Sequence, residues 1–307
     1  MPESSIRRIK TPSASYRCAP IKQPGRSVVE LVVVAAILVA LLAVFLLRLS
    51  SNRESARRMA CEENLRGVFL GAESYTLRFG HFPIGTQNPV APIRSEPSGY
   101  HHNWIEGLLP LIDQQSLYNE IDFDLGVYAA TNERVGQVSV PTLQCPASIT
   151  TLPVNATTYA GVVASTETPI DDSCDGMFIL NRPLAPEDAT DGQSYVFLAG
   201  EKSVDWAAPN QWNSGTRASL RNAGHGINAT SVQKVDPLFV GGFSSNHPGG
   251  AYFLLVDGSF RFYSNDTDTE LLRQLAGRSD AASGEQELPN VVDEAIETSA
   301  AEIEQEN

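Results

Sequence analysis

Basic residues are scarce in this sequence and unevenly placed. Lysine and arginine total 22 against 36 acidic residues, a formal net charge of −14. After Arg26 no basic patch remains, so the electrostatic footprint of a nucleic-acid-binding protein is absent. Neither Lys nor Arg occurs after Arg278, whereas Asp280, Glu285, Glu287, Asp293, Glu294, Glu297, Glu302, Glu304 and Glu306 are all acidic. That Ala-, Ser- and Glu-rich stretch has no aromatic residues with which to build a core. Residues 279–307 therefore read as a disordered, solvated tail.

Other absences narrow the chemistry. Cysteine occurs four times, and no two cysteines have the two-residue spacing of a zinc or redox motif. His-Glu-x-x-His, Gly-x-Ser-x-Gly and a phosphate-binding loop ending in Gly-Lys-Ser/Thr are all missing. No catalytic group is assigned, and the reading is non-enzymatic. His101-His102 is an isolated pair in a loop, expected to face solvent. Proline is missing between Pro24 and Pro83, so nothing in that interval forces a helix to break.

What fills the proline-free interval organises the chain. Leu31–Leu47 contains 17 residues without a charge, and Val28 and Val29 extend the apolar run past a single carboxylate, Glu30. About 20 apolar residues suffice to span a bilayer as a helix. Further along, Cys61, Leu65, Val68, Ala72, Tyr75 and Phe79 recur at alternating spacings of four and three, which places them on one helical stripe. A helix is thus predicted over 28–79, with an apolar first half and an amphipathic second half. Arg7, Arg8, Lys10, Arg17, Lys22 and Arg26 precede it against Glu3 alone, which keeps the N-terminus cytoplasmic and places the remainder outside. The run is too long for the core of a secretory signal peptide.

Beyond Pro83 the pattern is short strands and turns. Residues 84–100 read as a loop, and 104–119 as a buried short helix or helix pair around Pro110. Short strands are expected within 137–166, at Met177–Leu180 and at Ser194–Gly200. Ala251–Val256 and Ser259–Tyr263 flank Asp257-Gly258, a two-residue hairpin signal in which both turn residues take positive φ. Thr267 and Glu270 form an expected capping box for a last helix ending at Gly277. An outward location permits disulfides; a Cys61–Cys145 bridge is expected, leaving Cys174 free. A long helix on a mainly antiparallel sheet follows, an α+β fold.

Two sets of motifs carry a resemblance. Gly25, four residues, then Glu30-Leu31-Val32-Val33-Val34 resembles the type IV prepilin signal, with Arg26 at the first mature position, where that family usually has Phe. His247, nine residues, then Asp257-Gly258 is similar to the H-X9-DG signature of a prepilin-like family whose soluble part is domain of unknown function 1559. Cys61-Glu62-Glu63-Asn64-Leu65, Phe79–Pro83, Leu108–Asn119, Cys145-Pro146, Thr158–Gly161 and Thr190–Ser194 follow the same family in order.

The resemblance implies a pilin-like fold and a basic leader (1–25) removed after Gly25 by a prepilin peptidase. It also implies a transmembrane half-helix (26–48), an extracytoplasmic domain (49–278) and residence in the inner membrane. Methylation of the new N-terminus and assembly with like subunits, or with a type II secretion-like machine, would follow, Glu30 guiding assembly. The rival expectation is an anchored binding module for envelope polysaccharide or exported proteins that never polymerises. His247 and Asp257 are candidates for a metal or proton-transfer pair, with a structural role expected for both and for Gly258. No metal or other cofactor is assigned. Asp171–Gly176 has calcium-loop oxygens at positions 1, 3 and 5, but Arg182 stands where position 12 requires Glu. Calcium enters only because some pseudopilins bind it.

Overall fold

The computed structural model describes residues 28–148, 153–204, 212–229 and 236–279, with the backbone alone over 44–55. The basic leader, Gly25, Arg26 and residues 280–307 of the acidic tail lie outside the described residues. The chain divides into two compact units, Met1–Asn52 and Arg53–Asn307.

The described part of the first unit is helical, the beginning of α1 (Val28–Phe79). All side chains from Val28 to Ala43 are exposed, including Val28 at 75% and Val39 at 66%. Glu30 lies in the first helical turn. Among the described residues no helix is long and apolar enough to cross a membrane. The side chains that would complete the expected span over 26–48 lie partly outside them.

The second unit continues α1 and adds β1 (Thr86–Gln87), β2 (His102–Asn103), α2 (Trp104–Leu108), α3 (Gln115–Tyr118) and α4 (Ala130–Gly136). Strands β3 (Tyr159–Ala164), β4 (Phe197–Glu201), β5 (Leu220–Asn222), β6 (Gly250–Leu255) and β7 (Phe260–Ser264) follow, then α5 (Thr269–Ala276). The main sheet has the order β5-β3-β4-β6-β7. Its β3–β5 pair is parallel and the other pairs are antiparallel. The class is α+β with a mainly antiparallel sheet.

This sheet is buried on both faces. Side chains alternate along a strand, and here the alternation separates two cores. Tyr159, Val163, Leu198 and Leu254 join Cys61, Leu65, Val68 and Ala72 of α1. Ala160, Val162, Phe197, Phe253 and Leu255 join Leu272, Leu275 and Ala276 of α5 on the other side. Covering both faces explains why β3 and β4 are apolar without a solvent-facing register. The α1 stripe leaves the core before its predicted end, for Phe79 is 50% exposed and packs on Tyr75 with ring centroids 4.4 Å apart.

Several local expectations change in three dimensions. The β6–β7 hairpin has a three-residue loop, with Leu255 N–H donating to Ser259 O and Gly258 N–H to Leu255 O. Gly258 takes φ 85°, whereas Asp257 is not among the positive-φ residues. A turn followed by a left-handed glycine replaces the two-residue form. It suits Asp257, whose carboxylate accepts from the Ser259 N–H at 2.8 Å and hydroxyl at 2.7 Å.

The cap of α5 is Asp268, not Thr267, because the Asp268 carboxylate reaches Glu270 N–H at 3.0 Å. Gly277 ends that helix with φ −73°, without a left-handed turn. Met177–Leu180 contributes one parallel bridge, Leu180 to Thr86, instead of a full strand. Within the described part of 137–166, β3 is the one strand.

Candidate functional site

The most concentrated chemistry among the described residues is a buried cluster of Cys61, Cys145, Glu201 and His247. Each comes from a different part of the chain, and local sequence explains each placement. Cys61 opens the apolar stripe of α1 and is fully buried. Cys145 follows a 3-10 turn, Pro141–Leu143, and its N–H donates to Thr158 Oγ1 at 2.6 Å, which ties it to the start of β3. Glu201 ends β4, directly opposite Tyr159 of β3. His247 precedes β6, its backbone N–H held by Ser245 Oγ at 3.1 Å.

In this structure Cys61 and Cys145 form a disulfide with a Cα–Cα distance of 4.9 Å, joining positions 84 residues apart. His247 Nε2 lies 3.4 Å from Cys145 Sγ and 3.4 Å from Glu201 Oε1. The other oxygen, Glu201 Oε2, accepts from Tyr252 N–H at 2.9 Å. The Tyr252 ring meets the imidazole edge-on at 5.6 Å between centroids. Tyr159 completes the wall and donates its hydroxyl to Cys61 O at 3.2 Å. Burial, reinforced by the negative charge of Glu201, holds the Tyr159 hydroxyl well above the ordinary tyrosine range, so it remains a donor.

With the bridge closed, neither sulfur is a thiolate. The groups then left to hold a cation or move a proton are His247 and Glu201. Their 3.4 Å separation is longer than the roughly 2.7–2.9 Å of a charge-assisted hydrogen bond.

The candidate pairing of His247 with Asp257, against which a structural role was expected, is not brought about. They lie at opposite ends of the six-residue strand β6, a span of roughly 20 Å at ~3.3 Å per residue. Asp257 belongs to the hairpin turn. Burial alone would raise its pKa, but hydrogen bonds from Ser194 and Ser259, with the charge of Arg261, hold it below the ordinary aspartate value. Gly258 occupies the left-handed position of the turn. The partner missed by sequence reasoning is Glu201. Its only signal was a carboxylate ending an apolar strand, with nothing in its spacing to connect it to His247.

A second buried polar group corrects the expectation of exposed histidines, since His101 and His102 are each 2% exposed. His102 Nδ1 lies 2.7 Å from Glu106 Oε2 and its Nε2 lies 2.8 Å from Leu125 O. Both neighbours favour the protonated ring, while burial raises the pKa of its partner Glu106. Burial alone would lower the pKa of His102; Glu106 and the Leu125 carbonyl overcome that and raise it. Glu106 Oε2 also accepts from Asn103 N–H, and Asn103 caps α2 in a reciprocal capping box. This pair fixes the entry to α2.

The acidic turn is occupied by protein donors. Asp175 accepts from Ser165 N–H at 2.8 Å, and Asp171 accepts from Asp172 N–H at 2.7 Å. Arg278 Nη1 donates to Cys174 O and Gly176 O at 2.7 and 2.9 Å. A guanidinium therefore sits on two of the loop carbonyls. Cys174 is buried and free.

The family model described as "Protein of unknown function (DUF1559)", SBP_bac_10, matches residues 50–270. No curated protein and no solved structure matches the chain. The matched segment contains α1 from its second half, the whole sheet and all four residues of the buried cluster. The chain belongs to the DUF1559 family.

Proposed function

We propose that this chain is a non-enzymatic, membrane-anchored subunit of pilin or pseudopilin type. The observation that carries this reading is the start of α1. From Val28 to Ala43 it exposes apolar side chains on every face, interrupted by Glu30 alone. A helix apolar all round suits a lipid environment or a bundle of like helices better than water. The basic residues before it and the Gly25–Glu30 spacing support a prepilin-type leader, cleaved after Gly25 by a prepilin peptidase and methylated at Arg26. The second unit is then displayed outside the cytoplasm, and the H-X9-DG signature (His247, Asp257, Gly258) serves its structure. Glu30, near the membrane end of the helix, guides assembly with neighbouring subunits in a pilus-like or type II secretion-like structure.

The test is the N-terminus of the membrane-extracted protein, determined by mass spectrometry. A start at Arg26 supports processing and assembly. A start at Met1 or Pro2 sinks it and leaves an anchored, non-polymerising binding module for envelope polysaccharide or exported proteins. Crosslinking in cells separates the two independently: loss of oligomers in Glu30→Ala supports assembly, and an unchanged pattern opposes it.

A further inference from the structure

We propose that Cys61, Cys145, Glu201 and His247 form a redox-gated site for a zinc-type divalent cation, assembled when a dithiol opens the bridge. Two cysteines, a histidine and a carboxylate provide four donors of the types that bind zinc, from four separate elements. Their ligand atoms all lie within 4.8 Å of one another. All four residues are buried, with exposures of 3% or less.

Distances distinguish this arrangement from an ordinary buried ion pair. Nε2 of His247 is 3.4 Å from Cys145 Sγ and 3.4 Å from Glu201 Oε1. A histidine nitrogen and a carboxylate oxygen each ~2.1 Å from a common tetrahedral centre are ~3.4 Å apart, the separation of His247 Nε2 and Glu201 Oε1. Glu201 Oε1 has no hydrogen-bond partner within the buried cluster. Leaving a carboxylate oxygen so placed is costly unless a positive charge satisfies it, and the His247 ring at 3.4 Å is too far for a hydrogen bond, whereas a shared metal ion would bridge the two. Meanwhile Oε2 is fixed by Tyr252 N–H, which orients the carboxylate and leaves Oε1 facing the imidazole.

The redox step balances without another reactant. The dithiol gives two electrons and two protons to the Cys61–Cys145 bond and becomes a disulfide itself. The S–S bond breaks, and both cysteines become thiols. Cation binding then displaces the two thiol protons into solvent. The four donors become two thiolates, the neutral imidazole through Nε2, and the Glu201 carboxylate through Oε1. An oxidised dithiol reverses the sequence, closing the bridge, taking up two protons and releasing the cation. The closed disulfide and the cation-bound dithiolate are thus alternative cross-links between α1 and the start of β3.

The experiment uses the purified full-length chain carrying Cys18→Ser, which removes the one cysteine of the basic N-terminal stretch, and Cys174→Ser, so that no other thiol contributes. It is reduced with a small dithiol, desalted without oxygen, checked for two free thiols, and titrated with Co2+. One equivalent should produce tetrahedral visible bands with thiolate charge transfer in the near ultraviolet, and Zn2+ should abolish them. The oxidised chain should show neither. In the reduced chain His247→Ala should weaken Co2+ binding by about tenfold or more. The proposal fails if the bridge stays closed in dithiol, or if the reduced chain gives no such bands. Equal Co2+ binding by oxidised and reduced chains also overturns it. If His247→Ala does not fold, the contrast between oxidised and reduced parent chains decides the matter.

Discussion

Gly258 lies directly against the ring of Phe69: a Cβ built on this glycine would overlap Cε1 and Cζ of that side chain. The glycine also has φ 85°, a conformation that penalises any Cβ. One position therefore serves two purposes, turning the β6–β7 hairpin and letting it approach α1. The Asp-Gly pair in the sequence announces the first of these. The second depends on an element almost two hundred residues away, roughly the distance from Phe69 to Gly258 along the chain.

From this contact, Gly258→Ala should lower stability by about 2–4 kcal/mol, combining left-handed strain of ~1 kcal/mol with overpacking of ~1–3 kcal/mol. Phe69→Ala in the same chain should recover the overpacking part and leave the strain. A double-mutant cycle in denaturant measures the coupling. Additive costs would show that the ring moves aside freely.

Removing the bridge should destabilise the second unit. Cys61→Ala with Cys145→Ala frees a loop spanning an 84-residue separation. A loss of about 2–5 kcal/mol is expected, read as a lower denaturant midpoint than that of the oxidised parent. An unchanged midpoint would mean that packing alone holds α1 to the sheet.

The adjacent histidines should give opposite pH dependences. Burial holds His101 down at about 4, against 6.5 when unfolded. Its neutral form contributes fully above pH 6.5, and that contribution falls away between pH 6.5 and about 4, because the unfolded chain binds the extra proton. His102 has the reverse sign. Its pKa is raised by its acceptors, so its contribution is present below 6.5 and is lost as pH rises through the raised value. Stability from these two groups should peak near pH 6.5. His101→Asn, chosen because residue 101 has φ 49°, should flatten the acid limb, and His102→Gln the alkaline limb. Denaturant midpoints between pH 4 and 9 test both signs.

Arg278 should act as the clasp of the acidic turn. Its guanidinium donates to the carbonyls of Cys174 and Gly176, and burial draws its pKa below the ordinary arginine value. Arg278→Ala leaves those carbonyls without this donor, at a cost of about 1–3 kcal/mol. It should also expose the buried Cys174 thiol, increasing its rate of alkylation in the oxidised protein. Equal labelling rates in both proteins would refute the clasp.

Much of the local structure was legible because it depends on neighbours in the chain. The four-and-three spacing from Cys61 to Ala72 names the buried face of α1. The apolar runs ending near Gly200 and Val256 mark β4 and β6, and Asp257-Gly258 marks the turn between β6 and β7. Local sequence is ambiguous where two nearby residues compete for one role. Asp268 displaced Thr267 as the cap because its carboxylate reaches the Glu270 N–H. His101 and His102 read as exposed because their hydrogen-bond partners, Tyr128, Glu106 and Leu125, are partly supplied by chain beyond the local turn.

By itself the sequence determined the family, the α+β class, the apolar opening of α1 and the acidic composition of the tail, all properties of composition and short-range periodicity. Tertiary structure alone decided that His247 pairs with Glu201 and not Asp257, and that both stand beside Cys145. It also decided that α5 covers the second face of the sheet. These outcomes depend on which strands lie side by side. Strand order brings β4 next to β6 and thereby carries the end of one to the beginning of the other. Proximity of that kind is set by the packing of the whole sheet between α1 and α5, and no local spacing encodes it.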